Sequence, residues 1–293
     1  MGVSSSTSTR KRWACRCCRR AFPRRRRGSS PPVPTLPFLA LLRSTPRTSC
    51  QGTTSVCSAG ASTSSWLLSR KCSHGLLREM VPATKSLLSE SLVVFGEIGG
   101  NDYNFWFFDH THSRDTAKEY IPDVIARIGA GVQEVINLGA KTVLVPGNFP
   151  IGCVPVYLSG NKSYTSTDYD QYGCLKWFNA FSQMHNQLLK QEITKLKSQN
   201  PGVRIIYGDY YGAFMEFVKN PSRNGIDKPL VACCGGDGPY GTGHLCDQNA
   251  KVCPDPSRFA NWYQIHMTEK AYNVIANGVV NGPYADIPLL QAC

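Results

Sequence analysis

Acidic residues are missing from the first 70 positions, which hold 13 Lys/Arg and no Asp or Glu. The formal charge of +12 therefore belongs to the head, because 19 basic and 20 acidic residues remain after position 70. A body so close to neutral removes most of the charge argument for an acidic partner. Also missing is an apolar run of bilayer length. The apolar stretch at residues 33–42 contains Pro34 and Pro37 and is too short to span a membrane, so no transmembrane segment is expected. The arginine clusters precede that stretch, which is the wrong order for a secretory signal. Paired cysteines and histidines at zinc-ligand spacing are absent too. Five cysteines before residue 60 lack any such pattern, Cys72 stands alone, and the only histidine near the later seven is His244.

What the head does contain is arginine, at 16, 19, 20 and 24–27, among serine, threonine and proline. This composition has no packable periodicity and predicts disorder over residues 1–80. An Arg- and Ser-rich, acid-free N-terminus also has the composition of an organellar transit peptide. Nucleic-acid binding ranks last among the readings of this head, since no aromatic platform or reading module accompanies the arginines. The seven later cysteines, Cys153, Cys174, Cys233, Cys234, Cys246, Cys253 and Cys293, sit in turn-rich sequence and read as disulfide candidates in an oxidising compartment, with the pairing open. One glycosylation sequon, Asn161-Lys162-Ser163, is compatible with secretion.

Structure becomes legible near residue 89. Residues 91–95 read as a short buried strand running into glycines, which permit close backbone approach to a ligand. Residues 117–138 carry Ile121, Val124, Ile128, Val132 and Val135 at helical spacing, and Gly139 is placed to terminate that helix. A second strand at 142–145, a helix over 175–196, a third strand at 203–207 and a helix over 210–218 capped by Asp209 follow. Residues 222–258, rich in Gly, Pro, Asp and Cys, read as cross-linked loop. A last helix over 269–278 has Thr268 as its cap. Continuous apolar strands separated by amphipathic helices predict an α/β architecture with a parallel sheet covered on both faces.

Two places carry candidate chemistry. Gly96-Glu97-Ile98-Gly99-Gly100-Asn101-Asp102-Tyr103 follows the first strand on the ligand-facing edge of such a sheet, where a side-chain amide and a backbone N–H can converge on a developing oxyanion. The bland reading of Gly-Gly-Asn-Asp is an ordinary turn. The second place is His266, on a loop leading into a helix and able to act as general base if a nucleophile lies within reach.

The stretch at residues 91–104 resembles the oxyanion-hole block of the plant GDSL esterase/lipase family, a branch of the SGNH hydrolases. The segments VLVPGNFPIGCVP at 143–155, VRIIYGDYY at 203–211, ACCG at 232–235 and the region 261–276 resemble that family in the same order. The resemblance implies that residues 85–290 form the C-terminal two-thirds of a GDSL domain. The implied fold is a three-layer α/β/α, flavodoxin-like parallel sheet lacking the family's first strands, so that the strand at 91–95 is left with an unpaired edge. It implies serine-dependent hydrolysis of a carboxylic ester on a small ester or lipid substrate, no cofactor, no specific protein partner, and a secreted product. Carried over residue by residue, Asn101 matches the oxyanion-hole amide, Gly99, Gly100 and Asp102 support it, and His266 matches the general base.

Two departures weigh against turnover. The family's histidine is preceded, three positions earlier, by an aspartate in a Trp-Asp dipeptide, whereas Trp262 is followed here by Tyr263. No Gly-Asp-Ser-Leu occurs in the 293 residues, and Ser55, Ser58, Ser62, Ser64 and Ser65 lack a strand-to-helix nucleophile turn. The expectations are therefore an impaired or inactive ester hydrolase or, alternatively, a noncatalytic ester- or carbohydrate-binding protein.

Overall fold

The structure, a computed structural model, describes residues 85–109 and 113–292. The expectations for the head, the serines at 55–65, Cys72 and Cys293 lie outside those residues. Three strands, β1 (Leu92–Val94), β2 (Thr142–Pro146) and β3 (Arg204–Gly208), form a parallel sheet in that order, with Leu92 opposite Thr142 and Thr142 opposite Arg204. Parallel neighbours require crossover connections. Helix α1 (Gly100–Phe108) and helix α2 (Ala117–Asn137) lie between β1 and β2; α3 (Pro155–Gly160) and α4 (Lys176–Gln199) lie between β2 and β3. Beyond β3 come α5 (Tyr210–Lys219), β4 (Lys228–Ala232), β5 (Phe259–Asn261), α6 (Glu269–Asn281) and α7 (Leu289–Ala292).

Strand alternation divides the core. Val143, Val145, Ile205 and Tyr207 pack with the apolar faces of α1, α2 and α4, while Leu144 and Ile206 point the other way to Val279 and Leu289. The sheet is thus covered by helices on both faces, as the uninterrupted apolar strands predict. All five residues of β2 are buried, but β1 is only half-buried along its length, and among the described residues it pairs with β2 alone. A strand with one ladder retains N–H and C=O groups on its free side.

The predicted stripe of α2 is buried at Ile121, Val124, Ile128, Val132 and Val135. Gly139 ends this helix with φ near 114°: its N–H donates to Ile136 O (2.9 Å), and Ala140 N–H donates to Val135 O (3.0 Å). That pair of bonds satisfies two terminal carbonyls and requires a left-handed residue, which glycine adopts without a Cβ clash. The caps at Asp209 and Thr268 form as expected, accepting from Gly212 N at 3.0 Å and Ala271 N at 3.2 Å.

Two expectations are corrected. Residues 222–258 are not loop throughout: β4 lies within them and pairs in parallel with β5. Its sequence Lys-Pro-Leu-Val-Ala has proline at its second position and is flanked by turn residues, while its partner lies about thirty residues on, so local sequence gives little sign of pairing. The Gly-Gly-Asn-Asp segment is not a free turn either, because Gly100 opens α1, which places Asn101 and Asp102 in its first helical turn. Burial of Tyr103 and Phe107 holds that helix against the core.

Six of the body cysteines pair as Cys153–Cys174, Cys233–Cys253 and Cys234–Cys246. The last two cross-link the stretch between β4 and β5, and the same cysteines reach the chain leaving β5 through their backbone: Cys233 N–H donates to Asn261 O (3.0 Å) and Cys234 N–H to Trp262 O (2.7 Å). The cross-links thereby brace the segment that leads to His266.

Candidate active site

The chain leaves the C-terminal end of β1 with one more ladder bond, Phe95 N–H to Leu144 O at 2.8 Å, and then turns into α1. Gly99 makes that turn with φ near 100°, and a Cβ there would sit 2.6 Å from Cγ1 of Val124. At Gly100 a Cβ would meet nothing within 4 Å, so of the two glycines only Gly99 is demanded by the packing. Tyr103 anchors the helix from below. Its hydroxyl lies 2.7 Å from Nδ1 of the buried His185 on α4, and its ring meets Phe181 edge-on at 4.8 Å. Burial pushes the His185 ring down to about 4, so it is neutral near pH 7.

Asn101 is exposed, and its amide is oriented by a chain of hydrogen bonds. The Tyr157 hydroxyl, on a buried side chain of α3, donates to Asn104 Oδ1 at 2.6 Å; Asn104 Nδ2 donates to Asn101 Oδ1 at 3.3 Å. With its oxygen engaged as acceptor, the exposed Asn101 amide offers its two N–H donors as its remaining hydrogen-bonding capacity. Asp102 is exposed on the first turn, where a carboxylate favours the helix N-terminus.

His266 lies between β5 and α6 on a tight loop closed by Trp262 N–H to His266 O at 2.9 Å. On the helix side, Thr268 fixes the loop by donating its hydroxyl to Phe259 O at 2.8 Å. The ring is exposed, yet the protein on its inner side desolvates it enough to lower its pKa. Its Nδ1 lies 2.5 Å from the hydroxyl of Tyr263, whose own pKa burial raises. Tyr263 therefore occupies the hydrogen-bonding place that an orienting carboxylate would take. Among the described residues no serine hydroxyl bonds to His266.

Helix α3 links the two halves. Val156 N–H donates to Gln264 O at 2.9 Å in the histidine loop, and the next residue, Tyr157, holds Asn104. Neither residue is legible as a site residue from sequence; the only signal is their position just after the VLVPGNFPIGCVP block. Glu97 was likewise present only as a letter in its block. Although the residue is half-buried overall, desolvation pushes its carboxyl up to about 7; burial, and after it the Glu97 charge, raises the phenols of Tyr210 and Tyr272, the latter to about 12. Asn161 terminates α3, half-buried, with its amide on Tyr157 O at 3.3 Å.

A polar groove of about 540 Å³ lies elsewhere, lined by α4 residues including Gln183, Gln187 and Lys190 and by Tyr207, Asp209 and Tyr211; neither Asn101 nor His266 lines it. Its glutamines repeat every four residues, the pattern of a solvated helix face. Among the described residues no group of three or more His, Cys, Asp or Glu could hold a metal, and no helix is long and apolar enough to cross a membrane.

The family described as GDSL-like Lipase/Acylhydrolase matches residues 60–279, well over half of the chain. The chain belongs to this family. Two GDSL esterases/lipases of Arabidopsis thaliana are 44% and 42% identical to it over 214 and 217 residues, covering 71% and 72% of this chain and 54% and 55% of theirs. A sinapine esterase of Brassica napus is 41% identical over 214 residues, 71% of this chain and 55% of its own. The chain thus spans about half the length of the curated relatives it matches.

Proposed function

We propose that this GDSL chain carries the acyl-facing part of an ester-hydrolase site, the oxyanion amide of Asn101 and the histidine His266, with turnover of carboxylic esters impaired or absent. The observation that carries the reading is the hydroxyl of Tyr263 on Nδ1 of His266. In serine hydrolysis the histidine takes the nucleophile's proton at Nε2, and a carboxylate accepting from Nδ1–H holds that tautomer and stabilises the imidazolium that forms. A neutral phenol supplies no such charge. In serine proteases, loss of the carboxylate costs about 10⁴ in turnover even with the serine in place. Here the 293 residues contain no Gly-Asp-Ser-Leu.

The fold reading that goes with this is an SGNH, flavodoxin-like sheet without its first strands, supported by the single ladder of β1 among the described residues. We assign residues 85–290 as the hydrolase-derived unit and the preceding 1–80 as a basic segment, into whose last part the family match, starting at residue 60, extends. Secretion is the compartment, supported by the family and by three disulfides, which persist in oxidising environments. The second reading is a noncatalytic ester- or carbohydrate-binding protein; it is favoured by the intact Tyr157–Asn104–Asn101 chain, which holds an exposed amide by its oxygen.

A fluorophosphonate serine probe, applied to the full chain and to His266→Ala and read by intact mass, tests the proposal. No adduct on folded protein is expected. A stoichiometric adduct that disappears in His266→Ala would mean that a serine has been recruited, and impaired turnover would be wrong.

A further inference from the structure

The contact between Tyr263 and His266 does more than omit a carboxylate. We infer that Tyr263 donates its hydroxyl hydrogen to Nδ1 of His266 and fixes the neutral ring with its proton on Nε2, so that the histidine is a hydrogen-bond donor to a carboxylate or ester carbonyl rather than a base. The inference rests on the reading that this cleft faces an acyl group.

Two atoms 2.5 Å apart share one hydrogen, and either could supply it. A phenol O–H, with an ordinary pKa near 10, is a far stronger acid than a neutral imidazole N–H. The imidazole lone pair, whose conjugate acid has a pKa near 6.5, is a far stronger base than a phenol oxygen. Acid and base strengths therefore agree on one direction, O–H to Nδ1. A neutral imidazole has one N–H and one lone pair, so a lone pair used at Nδ1 places the hydrogen at Nε2. Burial raises the phenol and lowers the imidazole, which keeps both partners neutral near pH 7.

An aspartate at the same place has the opposite effect. An ionised carboxylate only accepts, so it requires Nδ1–H and leaves the Nε2 lone pair free to take a proton. Tyrosine thus inverts the tautomer as well as removing a charge, and Tyr263 is a positioning residue acting through His266. The loop is rigid enough to hold this choice: Trp262 N–H bonds His266 O, Val156 N–H bonds Gln264 O, and Thr268 closes onto Phe259. With Asn101 presenting an amide N–H₂ on the other half, the residues carried over from the GDSL pattern are donors, suited to an oxygen acceptor such as the carboxylate released from an ester.

The test uses the full 293-residue chain labelled with ¹⁵N at histidine. Long-range ¹H–¹⁵N correlation at pH 8 reads which ring nitrogen carries hydrogen, with the His266 signals identified by their loss in His266→Gln. The expected wild-type result is hydrogen on Nε2 and a bare Nδ1; Tyr263→Asp should reverse the two, and Tyr263→Phe should release the preference. Titration with sodium acetate should move the Nε2 resonance in the wild type and bind about tenfold more weakly to Tyr263→Asp, where a bare lone pair replaces the donor. Hydrogen on Nδ1 in the wild type would overturn the inference, as would indifference of Nε2 to acetate. A fluorophosphonate adduct would instead remove the impaired-turnover reading and leave the tautomer measurement standing.

Discussion

Replacing the phenol of Tyr263 by a carboxylate places a negative charge beside the His266 ring and stabilises its protonated form. In Tyr263→Asp the pKa of His266 should therefore rise from below the ordinary histidine value to above it, a shift read by NMR titration of the ring. At the other conspicuous histidine, Tyr103→Phe leaves the buried Nδ1 of His185 without its hydrogen-bond partner, and we expect a loss of about 1–3 kcal/mol in chemical denaturation. Asn101 and His266 were legible because each sits in a recognisable local pattern. Tyr157 and Asn104 were not: the bond that makes them part of the site joins residues 53 positions apart, and no local spacing encodes it. Glu97 was hidden for a related reason, since its raised pKa comes from desolvation by its surroundings.

Helix ends were predictable because caps are local chemistry. Thr268 and Asp209 accept from N–H groups three residues on, and Gly139 provides the left-handed exit from α2. Thr268→Ala should cost about 1 kcal/mol, measured by urea denaturation, and also loosen the loop carrying His266 because it removes the bond to Phe259 O. Cysteine pairing was not readable from spacing; the fold decides it by placing Cys153 against Cys174 across the start of α4. Removing that cross-link in Cys153→Ala/Cys174→Ala frees a loop closed over 21 residues and should cost roughly 3 kcal/mol, a drop of about 6–12 °C in thermal midpoint. The strand β4 escaped the sequence for the complementary reason, because a short strand with proline at its second position becomes one only when β5 lies beside it.

For the molecule as a whole, two buried groups give pH dependences of opposite sign. Between pH 6.5 and about 4 the unfolded chain protonates His185 while the folded chain does not, so stability falls as pH drops through that window, by roughly 3 kcal/mol in all. Between pH 4.5 and about 7 the folded chain keeps the Glu97 proton that the unfolded chain has released, so this group makes stability fall as pH rises. The windows overlap from pH 4.5 to 6.5, where the wild type should be nearly flat. Glu97→Gln should uncover a stability that rises with pH across that range, measured as denaturation midpoints at pH 4.5 and 6.5; an unchanged profile would show that Glu97 titrates normally. The sequence by itself determined the family blocks, the α/β class, the strands at 91–95, 142–145 and 203–207 and the main helices, because periodicity, caps and motif letters are properties of neighbouring residues. Only the tertiary structure decided that Asn101 lies in the first turn of a helix, that α3 joins the amide to the histidine loop, which cysteines pair, and that the phenol of Tyr263 reaches Nδ1 of His266. Each of these depends on which distant groups packing brings within hydrogen-bonding or disulfide reach, or on how a loop orients its side chains, and a linear pattern encodes neither.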